Sequence, residues 1–225
     1  MDGLSLPTVL ASDGSELARL PFAPGKSPYR LKGTAYTSRI AWVEANIPGG
    51  LGAMRQGVEQ RYGPEVAAFF DQPFLSASWY DVVPLAQSAV VCGEILDQGY
   101  REFLTVVSEA AADGQVGRIY RWFLQMVSPK TIAMRIPKMV DTFFEFGSVE
   151  IVEDDRDHIL AVFDGIPEPF APWYATVCSA YFNRVLHING TPHPHLTWKA
   201  ERTTSEHGVH VLRMPVEVRW RGETR

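Results

Sequence analysis

This sequence predicts an α+β fold, with a helical layer packed on an antiparallel β-sheet. Three observations carry that expectation. The first is the order of patterns: an early strand-like segment, several helical segments, a hairpin, a long helix and a second hairpin. Helices and strands are segregated, as in α+β folds, and do not alternate as in doubly wound ones. The second is Ser128–Gly165, SPKTIAMRIPKMVDTFFEFGSVEIVEDDRDHILAVFDG, where an apolar helical run meets a glycine and passes into two alternating strands. The third is the C-terminal alternation of Val211, Met214, Val216 and Val218 with Arg213, Glu217 and Arg219, the period of a half-buried strand.

Each element has its own local signal. Residues 1–29 are rich in Pro, Gly and Ser and read as an N-terminal extension to a single domain over 30–225. Leu31–Ala45 is β-branched and aromatic with partial alternation, which predicts a first strand. After the break at IPGG, Leu51, Met54, Val58 and Tyr62 mark one face of a helix that Gly63–Pro64 ends. Pro64 suits the first position of the next helix, PEVAAFFDQ. Asp81 is placed to cap a helix over Val82–Asp97, with Pro84 tolerated in its first turn. Tyr100–Ala112 is helical, stopped by Asp113–Gly114, and Gly117–Val127 is a further apolar helix. Ser128 caps a helix opened by Pro129 and split or kinked by Pro137. SVEIVEDD and HILAVFDG form a hairpin through DDRD. Pro172 opens a long helix over Trp173–His187. Strands over Leu196–Thr203 and Val209–Trp220, joined by SEHG, complete the chain, and Pro215 suggests an edge position or a bulge.

Composition narrows the classes of function. The chain has 225 residues, 46% hydrophobic and 21% charged, which suits one soluble globular domain needing no covalent staples. The net charge of −5 and the absence of a basic stripe argue against nucleic-acid binding. No apolar run reaches the roughly 20 residues that span a bilayer. The acidic start, MDGLSLPTVLASDGSE, lacks the features of a signal peptide, so the expected location is cytoplasmic. Cys92 and Cys178 both lie in apolar helical contexts and read as buried free thiols.

Chemistry-bearing motifs are sparse. His187, His193 and His195 fall within HINGTPHPH, but no cysteine or carboxylate beside them completes a tetrahedral metal set, and they read as a solvated turn. There is no GxSxG elbow, P-loop or HExxH helix. Glu94 and Asp97 near Cys92 would raise its pKa and quieten it as a nucleophile. Glu150, Glu153, Asp154, Asp155 and Asp157 read as a solvated hairpin. The aromatics are more telling. Phe69–Phe70, Trp79–Tyr80, Trp122–Phe123, Phe143–Phe144, Trp173–Tyr174 and Tyr181–Phe182 come as adjacent pairs. Neighbours on a helix stand about 100° apart. Some of these rings must therefore face a second apolar surface: a ligand cavity, a subunit interface or more core.

Three segments carry a family resemblance: KGTAYTSRIAWVEA, SASWYDVVPLAQ and SPKTIAMRIPKMVDTFFEFGSVEIVE. Together they resemble a family of uncharacterised proteins abundant in myxobacteria, related to the haem-nitric-oxide-binding, vinyl-reductase-type and TRAPP-subunit domains. The resemblance spans roughly residues 30–220 as an order of elements. It implies a helical layer over an antiparallel sheet enclosing an apolar cavity. Vinyl-reductase-type domains are thought to sense small molecules, and TRAPP subunits assemble through helical dimer faces and can hold an acyl chain. The departures are specific. Haem-binding members need an axial histidine on the helix before the hairpin and a Tyr-x-Ser-x-Arg motif after it. Ser128–Phe146 has no histidine, and Tyr36-Thr37-Ser38-Arg39 lies too early, with the wrong spacing. TRAPP-type acylation uses a helix cysteine, for which Cys92 is the counterpart to consider. The further cysteines that vinyl-reductase-type domains often carry in their terminal strands have no counterpart here.

The expectation is a non-enzymatic binding or sensory module, with no catalytic residue, no metal ligand and no cofactor assigned. A small hydrophobic ligand would occupy a pocket lined by Trp79, Cys92, Trp122, Met126, Phe143 and Cys178. Its binding would shift the helices, including the Pro137 segment, and a second copy or another protein would read the shift. The alternative is a TRAPP-like scaffold without a ligand. An enzyme would require polar groups converging around His193, His195 or Cys178.

Overall fold

A computed structural model describes residues 12–116 and 124–220 of the chain. The fold is α+β, as the segregation of patterns predicts. Short strand β1 (Arg30–Lys32) leads into α1 (Gly33–Asn46), α2 (Gly50–Tyr62) and α3 (Pro64–Ala68). Strand β2 (Trp79–Asp81) precedes α4 (Val82–Ile95) and α5 (Tyr100–Gln115). Then come α6 (Pro129–Ala133), α7 (Ile136–Phe143), β3 (Ser148–Asp154), β4 (His158–Pro167) and α8 (Ala171–Ile188). Strands β5 (His195–Trp198), β6 (Glu201–Glu206) and β7 (Val209–Arg219) close the chain. Most of the helix expected over Gly117–Val127 lies outside the described residues.

The first correction concerns Leu31–Ala45. Only Arg30–Lys32 is extended, paired antiparallel with β2, and the rest is α1. Tyr36, Arg39 and Val43 recur at helical spacing and are buried, as is Ile47 just beyond. Burial of that face outweighs the strand preference of Thr34, Tyr36 and Thr37. Gly33 at the junction has no substitute without movement, because a Cβ there would stand 2.0 Å from the Leu75 carbonyl oxygen.

Helix α4 is the centre of the helical layer. Every residue from Val82 to Gly93 is buried, as expected of a helix apolar on all sides. The Asp81 carboxylate caps it by accepting from Val83 N at 2.9 Å. It also accepts from Ser27 N at 3.1 Å and Ser27 Oγ at 2.7 Å, which ties the N-terminal segment to the helix. Within that segment Leu17 is buried, and its carbonyl accepts from Gln87 Nε2 of α4 at 3.0 Å. Ser128 Oγ caps α6 by accepting from Thr131 N at 3.1 Å. The chain breaks after α6 and restarts with Pro137 in the first turn of α7, so the proline splits the helical run in two.

The main sheet is antiparallel in the order β3-β4-β7, with β5 and β6 paired in succession along the far side of β7. The pairs Ile159↔Val218, Ala161↔Val216 and Phe163↔Met214 bury one face. That face receives α8: Tyr174 packs edge-on against Phe163 at 5.8 Å, and Trp198 donates from Nε1 to Ser179 Oγ at 2.8 Å. Two strand expectations need correction. The segment expected as Leu196–Thr203 is two strands, and Pro215, expected at an edge or a bulge, lies inside the sheet where the partner ladder is irregular. The two facts share a cause. Lys199 N donates to the Pro215 carbonyl at 2.8 Å, but proline has no N–H to return the bond. The ladder therefore lapses between β5 and β6, opposite Pro215. The β6–β7 turn carries positive φ at both His207 and Gly208, which matches the right-handed twist of a tight hairpin.

Candidate functional site

Four helices face one another around a partly open cavity of about 550 Å³. The sequence explains why space remains there. Helix α1 presents Ala35, Ser38, Ala41 and Ala45, and α5 presents Ser108, Ala110, Ala111 and Gly114. Small residues at i, i+3 and i+4 spacing put little side-chain volume between the two helices. The other walls are bulky. Helix α7 contributes Met139, Val140 and Phe143, followed by Phe144, and α8 contributes Trp173, Val177, Cys178, Tyr181 and Phe182. Phe144 forms an isolated antiparallel bridge with Leu31, and Glu145 N donates to the Arg30 carbonyl at 3.0 Å, so the end of α7 is fastened to β1.

Helix α8 resolves the puzzle of adjacent aromatics. Trp173 lines the cavity while Tyr174, one residue on, packs against Phe163 of the sheet. The second apolar surface inferred from the paired rings is in part this cavity. Beside it, α5 and α8 are latched by a two-pronged ion pair, Arg184 Nε to Asp113 Oδ2 at 3.0 Å and Arg184 Nη2 to Asp113 Oδ1 at 2.9 Å. Tyr181 OH donates to Gln115 Oε1 at 2.8 Å.

Of the six residues expected to form a pocket, the structure brings Phe143 and Cys178 to this cavity. Cys92 is fully buried within α4 and does not reach it. Trp79 belongs to β2, with the Lys32 ammonium 4.2 Å above its ring, and Met126 is 61% exposed. Trp122 lies outside the described residues. The lining residues not expected from the sequence include the small ones of α1 and α5, Trp42, Met139 and Arg39.

Arg39 is the electrostatic anomaly of the site. It lines the cavity and is only 7% exposed. No carboxylate is among its electrostatic neighbours in the described residues, and its buried Nη1 has no hydrogen-bond partner. Its Cζ lies 5.0 Å from the Phe103 ring centroid, and its other electrostatic neighbours, Cys92, Tyr100 and Tyr36, are not carboxylates. Burial lowers its pKa, but a guanidinium stays charged in proteins. The Trp173 indole N–H, on the same lining, is buried and unpartnered as well. Two residues of the lining thus carry a buried donor without a partner. Burial pushes the Cys178 thiol far above its ordinary pKa, so it is protonated and unreactive. Burial likewise raises the Tyr181 phenol, to about 12. Among the described residues no group of three or more His, Cys, Asp or Glu could hold a metal ion, and no helix is long and apolar enough to cross a membrane.

Comparison with solved structures finds the same fold in H-NOX proteins. The Fe(II) unliganded H-NOX protein from K. algicida aligns with a TM-score of 0.57 at 13% identity, over 86% of this chain and 98% of that one. An oxygen-binding H-NOX domain related to soluble guanylate cyclases gives 0.55 at 10% identity, over 85% and 95%. The S. oneidensis H-NOX protein in its Fe(II)NO state gives 0.50 at 12% identity, over 84% and 99%. No protein-family model matches the chain, and no curated protein matches it.

Haem is the group this fold raises, and the donor set does not fit a histidine-ligated one. The six histidines of the chain are His158, His187, His193, His195, His207 and His210. None of them lines the cavity. Helix α7, just before the β3–β4 hairpin, carries none. Cys178 is in the wall, and among the described residues no second cysteine, histidine or carboxylate lines the cavity beside it.

Proposed function

We propose that this protein is a non-enzymatic binding or sensory module that holds a small, mostly apolar ligand between α1, α5, α7 and α8. The observation that carries the reading is the cavity itself: its volume falls in the usual range for small-molecule sites, and its walls are apolar with a few polar groups. The H-NOX likeness supports a fold able to enclose a ligand. Under this reading the ligand biases the position of α7, which is short, preceded by a break, and fastened to β1 at its end. A second copy of the chain or a partner protein reads that position, in the cytoplasm. Kinship with the myxobacterial family belongs to the same proposal and rests on the short motifs.

The test is binding of the neutral fluorophore aminoanthracene, displaced by dodecanol. The reading expects saturable binding of one fluorophore per chain, lost in Ala111→Trp, whose indole fills the cavity, while far-UV circular dichroism is unchanged. Absence of saturable binding in the unaltered protein would overturn it. Unchanged binding in a folded Ala111→Trp variant would do so too, by placing the fluorophore elsewhere.

A further inference from the structure

The chemistry of the ligand can be narrowed from Arg39. This step rests on the cavity being a ligand site. Taking a guanidinium out of water without a counter-charge is costly, and buried charges in folded proteins are normally paired. Arg39 is not: Nη1 is buried with no acceptor, and no carboxylate is among its electrostatic neighbours in the described residues. The one carboxylate buried among the described residues, Asp81, is already committed to Ser27 and to the start of α4. Tyr36, one turn before Arg39 on α1, is committed as well, its hydroxyl donating to the Asp81 carbonyl at 2.6 Å and accepting from Leu85 N at 3.2 Å. Tyr36 and Asp81 are thus both committed elsewhere, and Arg39, a lining residue of the cavity, is left with no acceptor at Nη1.

We propose that the ligand is an apolar carboxylic acid whose carboxylate pairs with Arg39 while its apolar body fills the space between the helices. A carboxylate matches the guanidinium fork with two parallel hydrogen bonds. Among the described lining residues Arg39 alone carries a charge, so a monoanion is neutralised in full. A phosphate monoester, nearly doubly charged at neutral pH, would leave excess charge in an apolar chamber. The remaining polar groups of the wall, including Ser38 and Ser108, are neutral and add donors without adding charge.

The experiment compares dodecanoate with dodecanol as displacers of aminoanthracene at neutral pH, on the full chain and on Arg39→Met. Dodecanoate is expected to bind the unaltered protein about tenfold or more tightly than dodecanol, a margin typical of a charge-assisted hydrogen-bonded pair. Arg39→Met should lose that preference and keep dodecanol. Equal affinity of acid and alcohol for the unaltered protein would overturn this inference while leaving the binding reading intact. Failure of fluorophore and alcohol alike to bind would overturn the binding reading and this inference with it. The acid–alcohol comparison on the unaltered protein needs no variant, so it decides the matter even if Arg39→Met does not fold.

Discussion

Replacing Arg39 with methionine is expected to make the ligand-free protein more stable. The side chain is 7% exposed and no carboxylate is among its electrostatic neighbours in the described residues, so folding strips it of water without a counter-charge. Replacing buried charge by apolar side chains of similar volume commonly stabilises by about 1–4 kcal/mol. Against this stands the loss of the Phe103 contact, worth about 1 kcal/mol as a cation–π pair. A methionine thioether on the same ring recovers part of it, and its unbranched chain follows the path of the arginine stem. The net expectation is a gain of about 1–3 kcal/mol, or about 2–4 °C in melting temperature for each kcal/mol in a chain of this size. The assay is urea unfolding at neutral pH, on protein freed of bound small molecules by denaturation and refolding, with the slope checked for constancy. Dodecanoate should then stabilise the unaltered protein far more than the variant. A ligand-free Arg39→Met protein less stable by about 1 kcal/mol or more would refute the reasoning, because Arg39 would then be a satisfied structural residue.

Other expectations follow from individual contacts. Gly33→Ala drives a Cβ against the Leu75 carbonyl and should cost about 1–3 kcal/mol in urea unfolding, as overpacking does; a neutral result would show that the β1–α1 junction yields freely. Asp81→Ala removes the α4 cap and strands the Ser27 donors in a buried setting, for a loss of about 3 kcal/mol by the same assay; a loss below about 1 kcal/mol would mean that the cap alone matters. Burial raises the Cys92 pKa to about 11 and that of Cys178 further still. Above the ordinary thiol value of about 8.5 the unfolded chain therefore gives up protons that the folded chain keeps. That contribution to stability is fully present below pH 8.5 or so and falls by about 1.4 kcal/mol per pH unit for each thiol as pH rises toward the folded values. Unfolding curves at about pH 8 and 10 should show the fall, and Cys92→Ala with Cys178→Ala should flatten it; an equal slope in the double variant would contradict the assignment.

Much of this architecture is legible in local sequence, because local chemistry decides it. Asp81 and Ser128 cap helices through their own side chains, and Pro137 stops one helix and opens the next. The alternation along β4 and β7 reports a sheet with one buried face. Where the reading fails, distant partners decide. Thr34–Ala45 has the composition of a strand, yet its Tyr36–Arg39–Val43 stripe is buried, and that tertiary burial makes it a helix. Pro215 reads as an edge or bulge position; it lies inside the sheet, and the partner ladder is interrupted opposite it. The cavity is harder still to foresee. Phe143 and Cys178 are legible as apolar helix residues, whereas the space they face depends on Ala35, Ser38 and Ala45 standing opposite Ser108, Ala111 and Gly114. Small residues at helical spacing on two helices were the available signal, and only the pairing of those helices gives it meaning. Arg39 is invisible for a related reason: an arginine in a helix normally reaches water, and only the packing around it denies that.

The most direct test of the central claim uses methionine methyl groups as reporters. Met139 lines the cavity, whereas Met54 and Met214 are fully buried elsewhere and Met126 and Met134 are exposed. In a spectrum of the methyl-labelled protein, with the Met139 signal assigned through Met139→Leu, saturating dodecanoate is expected to shift Met139 and to leave Met54 and Met214 in place. A Met139 signal that stays fixed while dodecanoate binds, or shifts centred on the other methionines, would contradict a ligand site between α1, α5, α7 and α8.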